Sequence, residues 1–155
     1  MKQFGVGTGN SQGTVDLVLL VLRVVAGLVF FMHGYQKLFD DDLSTTQTGF
    51  DGMGAPLPDI TAVIVMFVEL IGGLALILGV LTGIFAALHL IDMVSAFVIV
   101  HVENGFFVMN GGFELVFLLA GAATVLLLTG AGAFLVDAML GLPGRAPLTP
   151  ASRRA

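Results

Sequence analysis

The chain has 155 residues, of which 57% are hydrophobic and only 11% are charged, and its mean hydropathy is +1.02. A soluble domain usually carries about 25% charged residues, and a chain of this size has too little interior to hide so much apolar surface. With a net charge of -5 and no basic patch, the chain is not a soluble enzyme, a disordered protein or a nucleic-acid binder, and its solvent is the lipid bilayer.

Four long apolar stretches follow one another along the chain. They predict membrane helices over about 15–38, 59–81, 84–102 and 113–139, since about 20 apolar residues cross a hydrocarbon core of about 30 Å. Residues 1–14 are Gly-rich and polar and predict a flexible arm, and residues 141–155 predict an unstructured tail. The expected fold is therefore an all-α, integral membrane four-helix bundle over residues 15–140.

The connections between these stretches set the predicted topology. Residues 39–58 are rich in Asp, Thr, Gly and Pro and predict a loop, whereas the Thr82-Gly83 break is so short that the flanking helices must form an antiparallel hairpin. Most basic residues lie in the arm and the tail, namely Lys2, Arg145, Arg153 and Arg154. The positive-inside rule then places both termini in the cytoplasm.

Ionisable residues within the spans are the strongest functional signal, because a charge at the bilayer centre costs at least about 2.5 kcal/mol on insertion scales. From the rise of a helix, Arg23 and Asp92 lie roughly 10 Å or slightly more from the cytoplasmic surface, and Glu69 lies near the midplane. We predict that Arg23 forms a buried structural ion pair with Glu69 or Asp92. His89 is expected to face a backbone carbonyl rather than a ligand.

A second group of polar residues lies near the predicted outer surface and comprises His33, Lys37, His101, Glu103 and Glu114. His33 and Lys37 are four residues apart and share a helix face, and Phe30 lies on the same seam, seven residues before Lys37. Together with Glu114, this seam predicts a ligand site for a quinone or a lipid. His33 or Lys37 would hydrogen-bond a quinone carbonyl oxygen there.

Other interpretations of these polar residues stay open. Lys37, Glu103 and Glu114 are shallow enough to be solvated anchors at the membrane interface. His33 and His101 are candidate ligands of a metal or a heme, because imidazole binds zinc, iron and copper. No metal-binding or heme-binding spacing accompanies them, so neither group is expected. The two polar groups also fit a path for protons or a substrate.

Three segments resemble the DoxX family of small bacterial membrane proteins. Arg23-x3-Gly27 followed by Phe31-Met32-His33-Gly34-x2-Lys37-Leu38 is similar to the family's first helix. Phe67-x-Glu69-x2-Gly72-Gly73-x2-Leu76-x2-Gly79 is similar to its second, and the pattern of Asn110, Gly111, Glu114 and Leu118 is similar to its fourth. The resemblance runs from about Val15 to Leu140.

This resemblance implies a four-helix bundle in the bacterial inner membrane. It also implies similarity to the quinone-reducing membrane subunit of archaeal thiosulfate:quinone oxidoreductase, and to scaffolds that hold redox enzymes at the membrane. The polar residues that the resemblance marks as important are Arg23, His33, Gly34, Lys37, Glu69 and Glu114.

The chain has no cysteine, which excludes thiol and iron–sulfur chemistry, and it has no self-contained catalytic motif. We therefore expect a multi-pass inner-membrane subunit of a quinone-linked redox or respiratory complex, which acts as an anchor and a quinone site and receives electrons from a partner. The alternatives are a purely structural accessory subunit and a small-solute transporter. Expected partners are membrane lipid and other membrane or periplasmic subunits, but not nucleic acid.

Overall fold

The computed structural model describes residues 11–130 and 132, and every regular element within them is helical. The α-helices are α1 (Ser11–Tyr35), α2 (Leu43–Gly52), α3 (Pro58–Leu78), α4 (Thr82–Ala96) and α5 (Glu114–Thr129). Wider π-helical turns extend α1 over Gln36–Asp40 and α4 over Phe97–His101, and 3-10 turns follow at Val102–Asn104 and Val108–Asn110. The predicted all-α membrane bundle is confirmed.

Within the described residues, three continuous helices are long and apolar enough to cross a membrane: Gly13–Asp40, Pro58–Leu78 and Thr82–Asn104. The shorter α5 is also apolar and has 16 residues, so that it is about 24 Å long. We call the end of the bundle where α1 ends and α3 begins the outer end, and the end where α3 turns into α4 the inner end. The cytoplasmic position of both termini stays a prediction.

The helix bounds differ from the predicted ones at several ends. The first helix begins at Ser11 rather than Val15, and α5 ends at Thr129, where Gly130 adopts a φ of 77°. The turn between α3 and α4 lies earlier than the predicted Thr82-Gly83 break, because Gly79 has a φ of 73° and caps α3. Glycine adopts this left-handed conformation without strain. Residues 1–10, 131 and 133–155, with the tail and the end of the predicted fourth helix, lie outside the described residues.

The segment predicted as an acidic loop contains α2. Its first turn is capped by Asp42, whose carboxylate accepts a hydrogen bond from the Thr45 backbone N–H at 2.9 Å. This bond holds the pKa of the Asp42 carboxyl below its ordinary value. Thr46 is buried and its hydroxyl donates to the Lys37 carbonyl at 2.9 Å. These two interactions stabilise a helix in a stretch whose composition is typical of a loop.

Glycines allow the close approach of α1 and α3, the pair of helices with the most extensive contact. A Cβ atom at Gly73 would lie 2.7 Å from the Gly27 carbonyl oxygen, and one at Gly34 would collide with the backbone of Leu70. Gly72 instead faces α4, where a Cβ atom would lie 2.8 Å from the His89 ring. Because lipid offers no hydrophobic drive between helices, such backbone contact is what holds membrane helices together.

The interior of the bundle is built from large side chains of all four long helices. The largest fully buried side chains are those of Phe30, Met66, Leu76, His89 and Leu126. The outward faces carry exposed aliphatic and aromatic residues, such as Ile64, Ile71, Ile91 and Leu118. This distribution suits a protein whose outer surface faces acyl chains.

We predict that Gly73→Ala destabilises the bundle by about 1–3 kcal/mol, because the new methyl group forces α1 and α3 apart. The free energy of unfolding in mixed detergent micelles measures this loss. Gly121→Ala is the matched control, since a Cβ atom there meets nothing within 4 Å. Equal stability of the two variants would contradict the glycine contact.

Candidate functional site

An ion pair between α1 and α3 lies inside the bundle. The Lys37 Nζ atom is 2.5 Å from Glu69 Oε2, and the two side chains are 20% and 6% exposed. Lys37 lies in the π-helical turn that ends α1, one turn after Gly34, and Glu69 precedes the Leu70 backbone against which Gly34 packs. The same close approach that packs the helices therefore brings the ammonium and the carboxylate together.

Two further ionisable residues lie near this pair. Asp92 on α4 and His33 on α1 are both close enough to Glu69 for their charges to interact with its carboxylate. The buried Oδ2 atom of Asp92 accepts no hydrogen bond from the residues that the structure describes. We call Lys37, Glu69, Asp92 and His33 the polar centre. It collects ionisable groups from three helices within electrostatic reach of one another.

Arg23 lies near the inner end of the bundle, at the depth that its position on the first helix predicts. It is 2% exposed, and its guanidinium packs against Gly79, the residue that ends α3. Gly79 follows Glu69 by ten residues on one helix, a separation of about 15 Å. Of the two predicted partners of Arg23, Glu69 therefore pairs with Lys37 instead, since the long lysine side chain reaches inward from the outer end. The pairing of Arg23 with Asp92 stays a prediction. Arg23 belongs to the inner end.

Phe30 lies elsewhere than in the predicted ligand site. Its ring is 1% exposed and stacks on His89, with the ring centroids 3.7 Å apart and the planes inclined by 9°. Phe30 is therefore a core residue that a ligand at the surface cannot touch. The edge of the His89 ring that carries Nε2 lies against Gly72, and the ring interacts with the backbone of that residue, as expected. The contact is not a well-aligned hydrogen bond.

His33 is exposed and faces outward from the polar centre. Its Nδ1 atom is 2.9 Å from the Val29 carbonyl oxygen, to which a ring N–H at that position donates. In the neutral ring this leaves Nε2 as an acceptor. The residue is thus available to a molecule that approaches from the membrane.

Glu114, at the start of α5, lies at one end of an apolar groove of about 700 Å³. Phe106 and Val108 line the groove beside Glu114, and Leu22 of α1 and Val125 line it further toward the inner end. Spacings of seven and four residues place Leu22, Val29 and His33 on one stripe of α1. His33 therefore lies on the same side of α1 as Leu22, which lines the groove.

The two histidines considered as candidate metal ligands each contact a backbone carbonyl. The His101 Nδ1 atom lies 2.7 Å from the Gly111 carbonyl oxygen and so braces the connection between α4 and α5, while Glu103 is exposed. Within residues 11–130 and 132, no group of three or more His, Asp or Glu side chains could hold a metal ion. His33 and His101 thus each have a carbonyl partner instead.

Thr82 lies in the predicted break between the second and third helices, yet its side chain is buried in the bundle. Its spacing of seven residues from His89 was the signal that could have identified it. The pairing of Lys37 with Glu69 was not predicted from the sequence. Depths were taken from backbone positions along each helix, which ignore how far a lysine side chain reaches.

Comparison with known proteins gives a family and several relatives. The model of the DoxX family matches residues 18–102. A Bacillus subtilis protein named "Putative oxidoreductase CatD" is 30% identical, and the alignment covers 88% of each chain. "Inner membrane protein YphA" of Escherichia coli is 28% identical over 78% of this chain and 89% of its own length. "Uncharacterized membrane protein Rv3486" of Mycobacterium tuberculosis is 35% identical over 52% of this chain and 49% of its own. No solved structure matches the chain significantly.

We predict that Lys37→Met lowers the free energy of unfolding by about 3 kcal/mol, because it leaves the Glu69 carboxylate buried without a partner. The double variant Lys37→Met with Glu69→Leu should recover most of that loss, since two apolar side chains fill the same space without a charge. The measurement is the free energy of unfolding in mixed micelles of the wild type, of Lys37→Met and of the double variant. A double variant as unstable as Lys37→Met would contradict a direct interaction between the two residues.

Proposed function

The chain belongs to the DoxX family, and on this premise we propose that it is a multi-pass membrane subunit of a quinone-linked redox complex, which anchors the complex and binds the quinone. Its proposed location is the bacterial inner membrane. The name of the Bacillus subtilis relative supports a link to redox chemistry, and the name of the Escherichia coli relative supports the location.

The polar centre is the observation that carries this proposal. An ion pair that only fixes helix packing needs two groups, and Lys37 with Glu69 supplies them. The bundle also brings a second carboxyl group, that of Asp92, and the exposed imidazole of His33 within electrostatic reach of Glu69. Reduction of a quinone to a quinol takes up two electrons and two protons, so the reaction needs groups that exchange protons beside the ring. Carboxyl and imidazole groups are the usual ones.

The donors and acceptors of the polar centre fit the two redox states of the ring. A lysine ammonium has three N–H donors, and one of them is bonded to Glu69. Another can donate to a quinone carbonyl oxygen. The free Nε2 atom of His33 can accept a hydrogen bond from the hydroxyl of the quinol. Lys37 and His33 therefore act as binding residues, and Glu69 holds the ammonium in position.

The groove along α5 provides a place for the apolar tail of the quinone. Its volume of about 700 Å³ lies within the range of ligand sites, and apolar side chains form nearly all of its surface. Glu114 stands at its outer end, where we propose that it makes a second polar contact with the bound molecule. Electrons reach the ring from a reduced partner protein, because this chain has no thiol to carry them.

A purely structural accessory subunit is the second candidate. Phe107 and Met109, in the connection between α4 and α5, are 63% and 93% exposed and lie beyond the spanning helices. Exposed apolar residues in such a position favour contact with a protein partner. This role would need no quinone, so the quinone content of the purified protein separates the two candidates.

We predict that the protein purified in mild detergent carries membrane quinone, and that His33→Ala reduces the bound amount. Loss of one hydrogen bond lowers affinity on the order of fivefold. Quinone extracted with solvent and quantified per mole of protein measures the effect. Gln36→Ala is the control, because Gln36 is exposed in the next turn of the same helix. Equal quinone in wild type and His33→Ala would contradict the head-group contact, and its absence from wild type would favour the accessory role.

The same assay tests the place of the tail. Gly121 lines the groove and Gly83 does not, and a Cβ atom at either position meets nothing within 4 Å. Gly121→Phe should therefore displace quinone by filling the groove, whereas Gly83→Phe should leave the quinone content unchanged. Equal retention in both variants would place the tail outside this groove.

A further inference from the structure

Three polar side chains, Thr82, His89 and Asp92, lie on the inner face of α4, with the buried Ala86 between the first two. Thr82 and His89 are buried, at 3% and 0% exposure, and Asp92 turns its buried Oδ2 atom inward. The spacings of seven and three residues place all of them on one face of the helix. Thr82 lies at the inner end, and Asp92 lies beside Glu69 in the polar centre.

These side chains share a second property. Thr82 Oγ1 and Asp92 Oδ2 are buried and have no hydrogen-bond partner among residues 11–130 and 132. The buried ring of His89 contacts the Gly72 backbone, but neither of its nitrogens makes a well-aligned hydrogen bond there. Leaving a buried donor or acceptor unpaired is costly, so native proteins satisfy such atoms with protein groups or with internal water. A buried water makes about three hydrogen bonds to groups of this kind. Unsatisfied polar atoms of three side chains on one helix face are therefore a pattern that water satisfies.

The His89 ring is held in a way that suits proton transfer. Phe30 stacks on one face of the ring, and the missing Cβ atom of Gly72 leaves room for the edge that carries Nε2. A neutral imidazole has one N–H donor and one acceptor nitrogen. It can take a proton from water at the acceptor nitrogen and release the other proton to water at the donor nitrogen. The ring thus passes on one proton and returns to a neutral state.

We propose that a hydrated proton path runs along the inner face of α4, from Thr82 past His89 to Asp92. The helix rise separates Thr82 from His89 by roughly 10 Å and His89 from Asp92 by roughly 5 Å, so water must bridge both steps. The path begins at the inner end, where Arg23 packs against Gly79, and ends at the polar centre. It connects the site to the side of the membrane opposite to Lys37.

The destination of the protons rests on the proposed function, whereas the hydration of the path does not. Each quinone that accepts two electrons from the reduced partner protein also takes up two protons and becomes a quinol. Asp92 gives its proton toward the ring and is protonated again through His89. Protons are thus taken up at the inner end of the bundle even when the quinone binds near the outer end.

The chain has three histidines, which makes the path accessible to NMR spectroscopy. Protein labelled with 15N-histidine is placed in bilayer nanodiscs with deuterated lipid, and magnetisation transfer from water protons to the ring nitrogens is recorded. His33→Gln and His101→Gln identify the other two rings by loss of their signals. Although His89 is fully buried, we expect clear transfer from water to its nitrogens.

Thr82→Val tests the route with a change of nearly the same shape. It should abolish most of the transfer to His89, because the hydroxyl group that orders water at the entrance is gone. Thr124→Val is the matched control, since the Thr124 hydroxyl already donates to the Ala120 carbonyl of its own helix at 2.8 Å. This control should leave the His89 signal unchanged.

Absence of water transfer to His89 in the wild type would overturn the path, whether or not the protein carries quinone. Unchanged transfer in Thr82→Val would overturn the route through Thr82. A hydrated His89 in a protein that never binds quinone would support the path and would contradict the proposed function instead. The quinone assay and the NMR experiment therefore fail independently.

Discussion

The structure depends on one constraint: an ionisable side chain inside a lipid-embedded bundle must meet another one within the protein. Lys37 and Glu69 meet this requirement across α1 and α3 at a distance of 2.5 Å. Their contact is possible because Gly34 lets α1 approach the backbone of α3 beside Glu69. Helix packing and charge pairing thus depend on the same glycine. A larger residue at that position would separate the helices and leave both charges in apolar surroundings. On insertion scales, burying one such charge in the bilayer costs about 3 kcal/mol.

The remaining polar groups of the interior are arranged around this pair. Asp92 adds a second carboxyl group from α4, and His33 extends the group to the membrane-facing surface of α1. One side of the polar centre therefore faces the lipid, from which a quinone would arrive. The other side continues into the buried face of α4, from which protons would arrive. Under the two proposals, the quinone and its protons would reach the polar centre by separate routes.

The sequence predicts the helices well because an apolar stretch must span the bilayer as a helix, whatever its neighbours are. Their ends are harder to predict, since they depend on single residues such as Gly79, which ends α3 earlier than hydropathy suggests. The helix α2 was missed because its stability comes from the Asp42 cap and the Thr46 contact, which composition does not reveal. For the site, the sequence identified Lys37, Glu69, His33 and Asp92 as important. It paired Arg23 with Glu69 or Asp92, because depth along a helix does not determine which helix faces which. It placed Phe30 in the ligand site, although that ring packs on His89.

The distance between the lysine and glutamate side chains in a bilayer tests this account most directly. Lys37 and Lys2 are the two lysines of the chain, so that 15N-lysine and 13C-glutamate labels give few candidate pairs in a solid-state NMR dipolar experiment. The account predicts a strong coupling between the Lys37 Nζ atom and the Glu69 carboxyl carbon, which is lost in Glu69→Gln protein whose glutamine is unlabelled. A Lys37 signal that couples to no glutamate carboxyl carbon would contradict it.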